Sequence, residues 1–149
     1  MSKLGFVGLG IMGTPMAGRL LQGGHELFVY DIKPVNAELF AAGAVACASG
    51  KEVTQRAEVV IIMVPDTPHV AAALFGEAGV AEGLSADKIV IDMSSISPLE
   101  TKEFARRIRD DRPLTPAEAE EGFAAFGTDD YREGIRAFLA KEKPRFTGR

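Results

Sequence analysis

Apolar runs alternate with amphipathic segments over residues 3–109 of the chain. The runs read "KLGFVG", "ELFVYD", "AVACA", "EVVIIMVP" and "DKIVIDMSS", and each is typical of a β-strand. The fourth run is apolar at successive positions rather than at every second one, as expected of a parallel strand that is covered on both faces. The pattern predicts an α/β fold with a Rossmann-like, doubly wound parallel sheet of about five strands.

Turn and cap residues delimit a helix after each predicted strand. The first helix should run from about residue 11 to residue 22 and end at Gly23 and Gly24, where glycine permits the left-handed backbone of a helix terminus. The helix within "KPVNAELFAAG" should end at Gly43. The N-terminal caps expected of the later helices are Ser49, Thr67 followed by Pro68, and Ser97 paired with Glu100.

The periodicity changes after residue 109. A capping box that begins at Thr115 predicts a helix to about Phe126, and Thr128 opens a second helix to about Lys141. No apolar run that suits a strand lies between the helix that ends near residue 109 and the helix that begins at Thr115. We therefore expect two domains, an α/β domain over residues 1–110 and a helical C-terminal appendage, a pair of helices, over residues 111–149.

Composition narrows the classes of partner and location. The formal net charge of −4 argues against nucleic acid, because phosphate binding leaves an excess of basic residues in a sequence. No apolar run approaches the roughly 18 residues that a membrane span needs, and "MSKLGFVGLG" lacks the regions of a signal peptide. We expect no membrane partner and a cytoplasmic location. Cys47 is the single cysteine, so the sequence predicts neither a disulfide framework nor a metal site.

Three glycines follow the first predicted strand with the spacing G-x-G-x-x-G, namely Gly8, Gly10 and Gly13. The spacing alone is a weak signal, because a tight turn between a strand and a helix needs glycine anyway. In this position it is typical of dinucleotide-binding sites, in which Gly8 permits the turn, Gly10 admits the pyrophosphate and Gly13 lets the helix pack closely. The helix N-terminus would supply N–H groups and a partial positive charge for the phosphates.

Asp31, at the end of the second predicted strand, is the candidate for the adenosine ribose. A carboxylate there would accept hydrogen bonds from both ribose hydroxyls and repel a 2′-phosphate, which favours NAD over NADP. Lys33 could pair with a 2′-phosphate instead, and Asp31 could simply end its strand. The predicted cofactor is therefore NAD or NADP, with NAD favoured.

Four blocks of the chain resemble the β-hydroxyacid dehydrogenase family, and within it the tartronate semialdehyde (2-hydroxy-3-oxopropionate) reductases. The blocks are "GFVGLGIMGTPMAGRL", "IIMVPDTPHV", "LFGEAGV" and "IVIDMSSISPLETKEFARRI", in the family's order and spacing. Arg19 departs from the family, which more often has Asn at that place. The resemblance covers about residues 3–109 and implies an oxidoreductase that uses NAD or NADP.

The resemblance also implies which residues form the site. The cofactor-binding residues would be Gly8, Leu9, Gly10, Ile11, Met12, Gly13, Asp31, Met63, Val64, Pro65 and Ser95, and the substrate-binding residues would be Ser94 and Ser95. Without the resemblance, the two serines could equally be loop and cap hydroxyls. The family has a further "VSGG"-type substrate loop and a lysine that protonates the carbonyl oxygen. Neither occurs here, so no catalytic residue is carried over and we do not expect turnover by this chain alone.

The last stretch, "GFAAFGTDDYREGIRAFLAKEKPRFTGR", resembles another family, the C-terminal end of crotonase-type enoyl-CoA hydratases. That resemblance implies a join between fragments of two families near residues 109–112. Phe138, Lys141 and Lys143 could then inherit a contact with CoA. We favour the alternative that "FAAF" and "IRAFL" pack against an exposed edge of the sheet, because an open strand edge promotes aggregation.

Three hypotheses about function follow. The first is an NAD(P)-dependent oxidoreductase, in which dimerisation or a partner chain completes the site for a small hydroxyacid or aldehyde acid. The second is a dinucleotide-binding module without catalysis. The third is a truncated or fused product without a function. Saturable cofactor binding separates the second from the third, and turnover separates the first from both.

Overall fold

Five parallel strands form one sheet in the computed structural model, which describes residues 1–109, 129–143, 145 and 147. The strands are β1 (Lys3–Val7), β2 (Glu26–Tyr30), β3 (Val45–Ala46), β4 (Val59–Ile62) and β5 (Ile89–Asp92). Their order is β3-β2-β1-β4-β5. Strands β2 and β3 therefore lie on one side of β1, and the chain then crosses over to place β4 and β5 on the other side. The predicted α/β fold with a five-stranded, doubly wound parallel sheet is confirmed.

Helices connect these strands and follow the last one. They are α1 (Gly13–Gln22), α2 (Ala37–Ala41), α3 (Gly50–Arg56), α4 (Thr67–Phe75), α5 (Pro98–Arg109) and α6 (Asp129–Ala140). A short 3-10 helix over Val80–Gly83, which the sequence analysis did not predict, precedes β5. Within the described ranges, no helix is both long and apolar enough to cross a membrane.

The core on one face of the sheet forms around the centre of β1. Phe6 is fully buried and lies in register with Val29 of β2 and Ile61 of β4. Side chains from α1, from α2 and from the strands complete this core. Its buried members are Leu4, Phe6, Ala17, Leu27, Val29, Leu39 and Ala44.

The other face of β1 is packed against α3 at a glycine. A Cβ added to Gly5 would lie 2.5 Å from Cγ1 of Val53 and 3.1 Å from Cβ of Ala57. The missing side chain is therefore what lets α3 approach the central strand. Gly5 was not singled out from the sequence, because only the neighbour across the sheet shows why a glycine is needed in a strand.

Most predicted helix ends are confirmed. Ser49 caps α3, with its hydroxyl accepting a hydrogen bond from the Glu52 N–H at 3.1 Å. Gly24 has a φ of +79° and follows α1, and the His25 N–H donates to the Leu20 carbonyl at 3.3 Å. This is the left-handed ending that the two glycines predicted.

Three boundaries differ from the prediction. Helix α1 begins at Gly13 rather than near residue 11, because residues 8–12 form the loop that leaves β1. Asp66, not Thr67, caps α4, since its extended backbone lets the carboxylate accept from the His69 N–H at 3.2 Å. Strand β3 is only two residues long, because only those two pair with β2.

The chain divides into two compact units, Met1–Ile96 and Ser97–Arg149. In the second unit, the Ser97 hydroxyl accepts from the Glu100 N–H at 3.5 Å, as the predicted cap requires. In α6, Arg136 forms ion pairs with Glu133 at 2.7 Å and with Glu142 at 2.9 Å. The predicted helix up to residue 126 and the predicted domain boundary at residue 110 lie outside the described residues.

Candidate dinucleotide-binding site

The loop between β1 and α1 depends on two glycines for its shape. Gly8 has a φ of +95°, and a Cβ there would overlap the Met63 carbonyl oxygen. A Cβ on Gly13 would overlap the Gly8 carbonyl oxygen, so the start of α1 lies directly against the end of β1. A Cβ on Gly10, in contrast, would meet nothing within 4 Å. Gly10 therefore leaves open space at the tip of the loop, whereas Gly8 and Gly13 allow close packing.

The N-terminus of α1 is not capped by a side chain. Met12 occupies the cap position and makes no side-chain hydrogen bond to the first turn, whereas α2, α3 and α4 all begin with a capping side chain. Within the described part of the chain, no protein acceptor takes the N–H groups of Gly10, Ile11, Met12 or Gly13. These groups can donate to a phosphate, and the helix dipole adds a partial positive charge at the same place.

Thr14 holds the loop from the helix side. Its hydroxyl donates to the Leu9 carbonyl at 2.6 Å, and its N–H donates to the Gly10 carbonyl at 3.0 Å. These hydrogen bonds fix the loop backbone before any ligand binds, which lowers the entropic cost of binding. The sequence analysis did not identify Thr14, although a hydroxyl residue directly after the third glycine was an available signal.

Asp31 holds the loop from the β2 side. One carboxylate oxygen accepts from the Leu9 N–H at 2.5 Å, and the other accepts from the Lys33 N–H at 2.8 Å. Each carboxylate oxygen has a second lone pair, so both can still accept from a ligand hydroxyl. The acid predicted from its spacing therefore lies next to residues 8–12, the loop predicted to bind the phosphates, which we call the phosphate loop.

The carboxyl ends of β1, β4 and β5 are joined by hydrogen bonds beyond the strands. The Met63 N–H donates to the Val7 carbonyl at 2.9 Å, which continues the pairing of β4 with β1. The next N–H along, that of Val64, donates to the Ser94 hydroxyl at 3.0 Å. The Ser94 N–H in turn donates to the Asp92 carboxylate at 2.9 Å.

A hydrogen bond between two side chains lies just beyond these ends, at the start of α4. Oδ1 of Asp66 is 2.5 Å from Nδ1 of His69, and both side chains are exposed. Hydrogen bonds from the ring and from the backbone N–H of His69 lower the pKa of the Asp66 carboxyl. The carboxylate is therefore ionised over the whole neutral range and keeps its role as a helix cap.

Contacts bring most predicted site residues to one edge of the sheet, where the strands have their carboxyl ends. Gly8 lies against Met63 and Val64, Leu9 is bonded to Asp31, and Val64 is bonded to Ser94. Pro65 and Ser95 are exposed at the same edge. In open parallel sheets, ligands bind beyond these ends, at the point where the strand order reverses. Here the order reverses between β1 and β4.

Comparison with known proteins agrees with this geometry. The family described as the NAD binding domain of 6-phosphogluconate dehydrogenase matches residues 3–114. The chain is 48% identical over 152 residues to 2-hydroxy-3-oxopropionate reductase of Escherichia coli (strain K12), an alignment that covers 97% of this chain and 51% of the reductase. The resemblance that the four sequence blocks predicted is thus confirmed at the level of the family.

Two solved structures share the fold. One is a 3-hydroxyisobutyrate dehydrogenase of Mycobacterium tuberculosis with L-serine, at 30% identity and a TM-score of 0.63 over 72% of this chain and 36% of that chain. The other is Psf3 in complex with NADP+ and 2-OPP, at 27% identity and a TM-score of 0.63 over 67% of this chain and 36% of that chain.

The chain spans about half the length of the E. coli reductase, and the aligned part covers little more than a third of each of the two structures. The family model, in contrast, describes a single domain, and it matches residues 3–114, which are most of this chain. The chain therefore belongs to the family of NAD-binding domains described for 6-phosphogluconate dehydrogenase, which the β-hydroxyacid dehydrogenases share.

Proposed function

We propose that this chain binds NAD or NADP along the carboxyl edge of its sheet, as the dinucleotide-binding portion of an oxidoreductase for small hydroxyacids or aldehyde acids. One observation carries the proposal: the uncapped N–H groups of residues 10–13 lie beside Asp31, which is bonded to the same loop. The N–H groups are donors that suit a pyrophosphate, and the Asp31 carboxylate is an acceptor that suits a ribose. The substrate class rests on the similarity to the E. coli reductase.

The strand order suggests how the cofactor lies. Asp31 at the end of β2 takes the adenosine ribose, and the loop after β1 takes the pyrophosphate. The nicotinamide half then extends over β4 and β5, because these strands lie on the other side of β1 from β2. Met63, Val64, Pro65 and Ser95 would line this half of the site, and Ser94 and Ser95 would lie near the substrate.

Hydride transfer to a carbonyl also needs a group that protonates or stabilises the developing alkoxide. The described residues at this edge hold the cofactor but offer no lysine in that role. Turnover would then require that group from outside the described residues, for example from a second copy of the chain or a partner chain. If no such partner supports turnover of an aldehyde acid with NADH or NADPH, the chain acts instead as a dinucleotide-binding module.

The substitution Gly10→Val tests the phosphate loop. Its isopropyl group would fill the space through which the pyrophosphate approaches, while a Cβ at this position meets no protein atom within 4 Å. We expect saturable one-to-one binding of NADH by the wild type and none by the variant in calorimetric titrations. The free energy of unfolding without ligand should change by less than about 0.5 kcal/mol. A variant that binds as tightly as the wild type would contradict the proposed loop, and a folded wild type that binds neither NADH nor NADPH would contradict the function.

Asp31→Ala tests the preference for NAD. The substitution removes the acceptor of a ribose hydroxyl and the repulsion of a 2′-phosphate, so NADH affinity should fall about tenfold or more while NADPH affinity falls less. Some loss for both is expected, because Leu9 also loses its hydrogen-bond acceptor. The Kd ratio of the two cofactors is therefore the informative quantity. An unchanged ratio would mean that Asp31 only shapes the loop.

The C-terminal appendage, the tail of residues 111–149, has no role in the proposed binding of NAD or NADP. Its resemblance to the crotonases and a contact with CoA stay predictions. Lys141 and Lys143 are exposed, and the side chain of Phe138 lies outside the described residues. The packing of "FAAF" and "IRAFL" against the sheet likewise stays a prediction. The alignment with the E. coli reductase extends over 97% of the chain and thus into the tail.

A further inference from the structure

The hydrogen-bond ladder between β4 and β5 ends in an unusual way. Its last backbone bond runs from the Met93 N–H to the Ile62 carbonyl at 2.8 Å. Beyond it, the Val64 N–H is bonded not to a carbonyl of the neighbouring strand but to the Ser94 hydroxyl, 30 residues away in sequence. The Val64 N–H therefore depends on the position of a single side chain for its acceptor.

Asp92 determines that position. It is the last residue of β5 and half-buried, and its carboxylate accepts from the Ser94 N–H at 2.9 Å. An aspartate that accepts from the N–H two residues later fixes the backbone into a turn. This turn places the Ser94 hydroxyl where the Val64 N–H can reach it. Neither Asp92 nor its turn was identified from the sequence.

The segment held in this way packs against Gly8, the first residue of the loop after β1. A Cβ on Gly8 would lie 2.8 Å from Cγ1 of Val64 and would overlap the Met63 carbonyl. This contact is with Gly8, whereas a Cβ on Gly10, at the tip of the loop where the phosphates are proposed to bind, would meet nothing within 4 Å. Asp31 is bonded to the same loop from the opposite side, through Leu9. The two acids therefore act on different halves of the candidate site.

We infer that Asp92 is a positioning residue for the nicotinamide half of the cofactor, acting through Ser94 on the Met63–Pro65 segment. The inference rests on the proposed dinucleotide binding. In the proposed mode of binding, Asp31 contacts the adenosine ribose and residues 10–13 contact the pyrophosphate, whereas the Met63–Pro65 segment follows β4 on the other side of β1 from β2. Loss of the Asp92 carboxylate should therefore weaken ligands that contain the nicotinamide nucleoside and spare those that contain the adenosine diphosphate alone.

The experiment compares NADH with ADP in calorimetric titrations of the wild type, Asp92→Ala and Asp92→Asn. We expect Asp92→Ala to bind NADH about 5- to 10-fold more weakly, which corresponds to roughly one lost hydrogen bond, and to change ADP affinity by less than about 2-fold. Asp92→Asn should restore NADH affinity, because its amide oxygen can still accept from the Ser94 N–H. This conservative variant separates the hydrogen bond from the negative charge.

The outcomes are distinct. A folded wild type that binds neither ligand contradicts the proposed function itself. If the wild type binds NADH and Asp92→Ala binds it equally well, or loses NADH and ADP affinity in the same proportion, the positioning role is overturned while the function stands. Should Asp92→Ala fail to fold, as judged by circular dichroism, Asp92→Leu replaces it, because leucine matches asparagine in shape but has no acceptor for the Ser94 N–H. The same selective loss of NADH affinity then supports the role, and an equal or absent loss overturns it.

Discussion

Gly13 and Gly18 lie in the same helix and have different reasons for being glycine. A Cβ on Gly13 would overlap the Gly8 carbonyl oxygen, so no side chain fits between α1 and the end of β1. A Cβ on Gly18 would meet nothing within 4 Å. The first glycine is required by packing. The second glycine only lowers the stability of the helix, because glycine inside a helix loses more backbone entropy on folding than alanine does.

The same substitution at these two positions should change stability in opposite directions. Gly18→Ala should raise the free energy of unfolding by about 0.5 to 1 kcal/mol, and Gly13→Ala should lower it by about 2 kcal/mol or more through the forced displacement of α1. Urea denaturation monitored by circular dichroism measures both. Gly18→Ala also serves as the control for Gly10→Val, since it should bind NADH like the wild type. Equal effects at the two positions would contradict the packing described at Gly13.

The individual residues that could be predicted are those whose partners are near in sequence or whose spacing is itself the signal. The glycines at 8, 10 and 13 and the acid at 31 were predicted because a strand, a glycine turn, a helix and a second strand fix their separation. Thr14 and Asp92 were missed. The role of Asp92 depends on a bond between Ser94 and Val64, and nothing in either segment alone indicates that the other is its neighbour.

At the scale of the elements, Lys88 links the segment before β5 to the end of α3. Its Nζ lies 2.6 Å from the Thr54 carbonyl, 2.6 Å from the Ala57 carbonyl and 3.4 Å from the Gln55 carbonyl. The last carbonyls of a helix lack intrahelical partners and carry a partial negative charge. The ammonium group therefore satisfies the C-terminus of α3 from a segment more than 30 residues away.

Lys88→Met should destabilise the protein by about 1.5 to 3 kcal/mol, because it keeps the aliphatic stem but removes a charged donor from these carbonyls. The matched control is Lys51→Met, which removes an exposed ion pair with Glu82 at 3.1 Å. Exposed pairs contribute about 0 to 1 kcal/mol, so this control should change the free energy of unfolding little. Chemical denaturation of both variants supplies the comparison. If Lys88→Met lowers the free energy of unfolding no more than Lys51→Met does, water replaces the ammonium group at these carbonyls without a cost in stability.

The elements that the sequence predicted are those with strong local signals. Apolar runs predicted all five strands, and Ser49 and Gly24 predicted helix ends from their own chemistry. The length of β3 was overestimated, because pairing with β2 rather than composition decides where a strand ends. The cap of α4 was assigned one residue too late, because Asp66 and Thr67 are both good caps and only the backbone distinguishes them.

At the scale of the whole molecule, cofactor binding should stabilise the sheet by mass action. A ligand that binds only the folded state raises the free energy of unfolding by about 2.7 kcal/mol at a concentration of 100 times its Kd. The buried amides of Phe6 and Val29 lie in the centre of the sheet, where exchange requires global opening. NADH at that concentration should therefore slow their hydrogen exchange about 100-fold. Gly10→Val should show no such slowing, and equal exchange in the wild type with and without NADH would contradict binding to the folded sheet.

The two edges of the sheet differ, and the difference limits how copies of the chain could associate. One edge is β3, which has two residues, and the other is β5, which has four residues with Ile89, Ile91 and Met93 exposed on or just after it. In the described part of the chain, β5 pairs with β4 only. Two copies that joined along β5 would leave a two-residue strand at each outer end, too short to template another strand. Such a pairing would close upon itself as a two-fold dimer rather than propagate into a fibre.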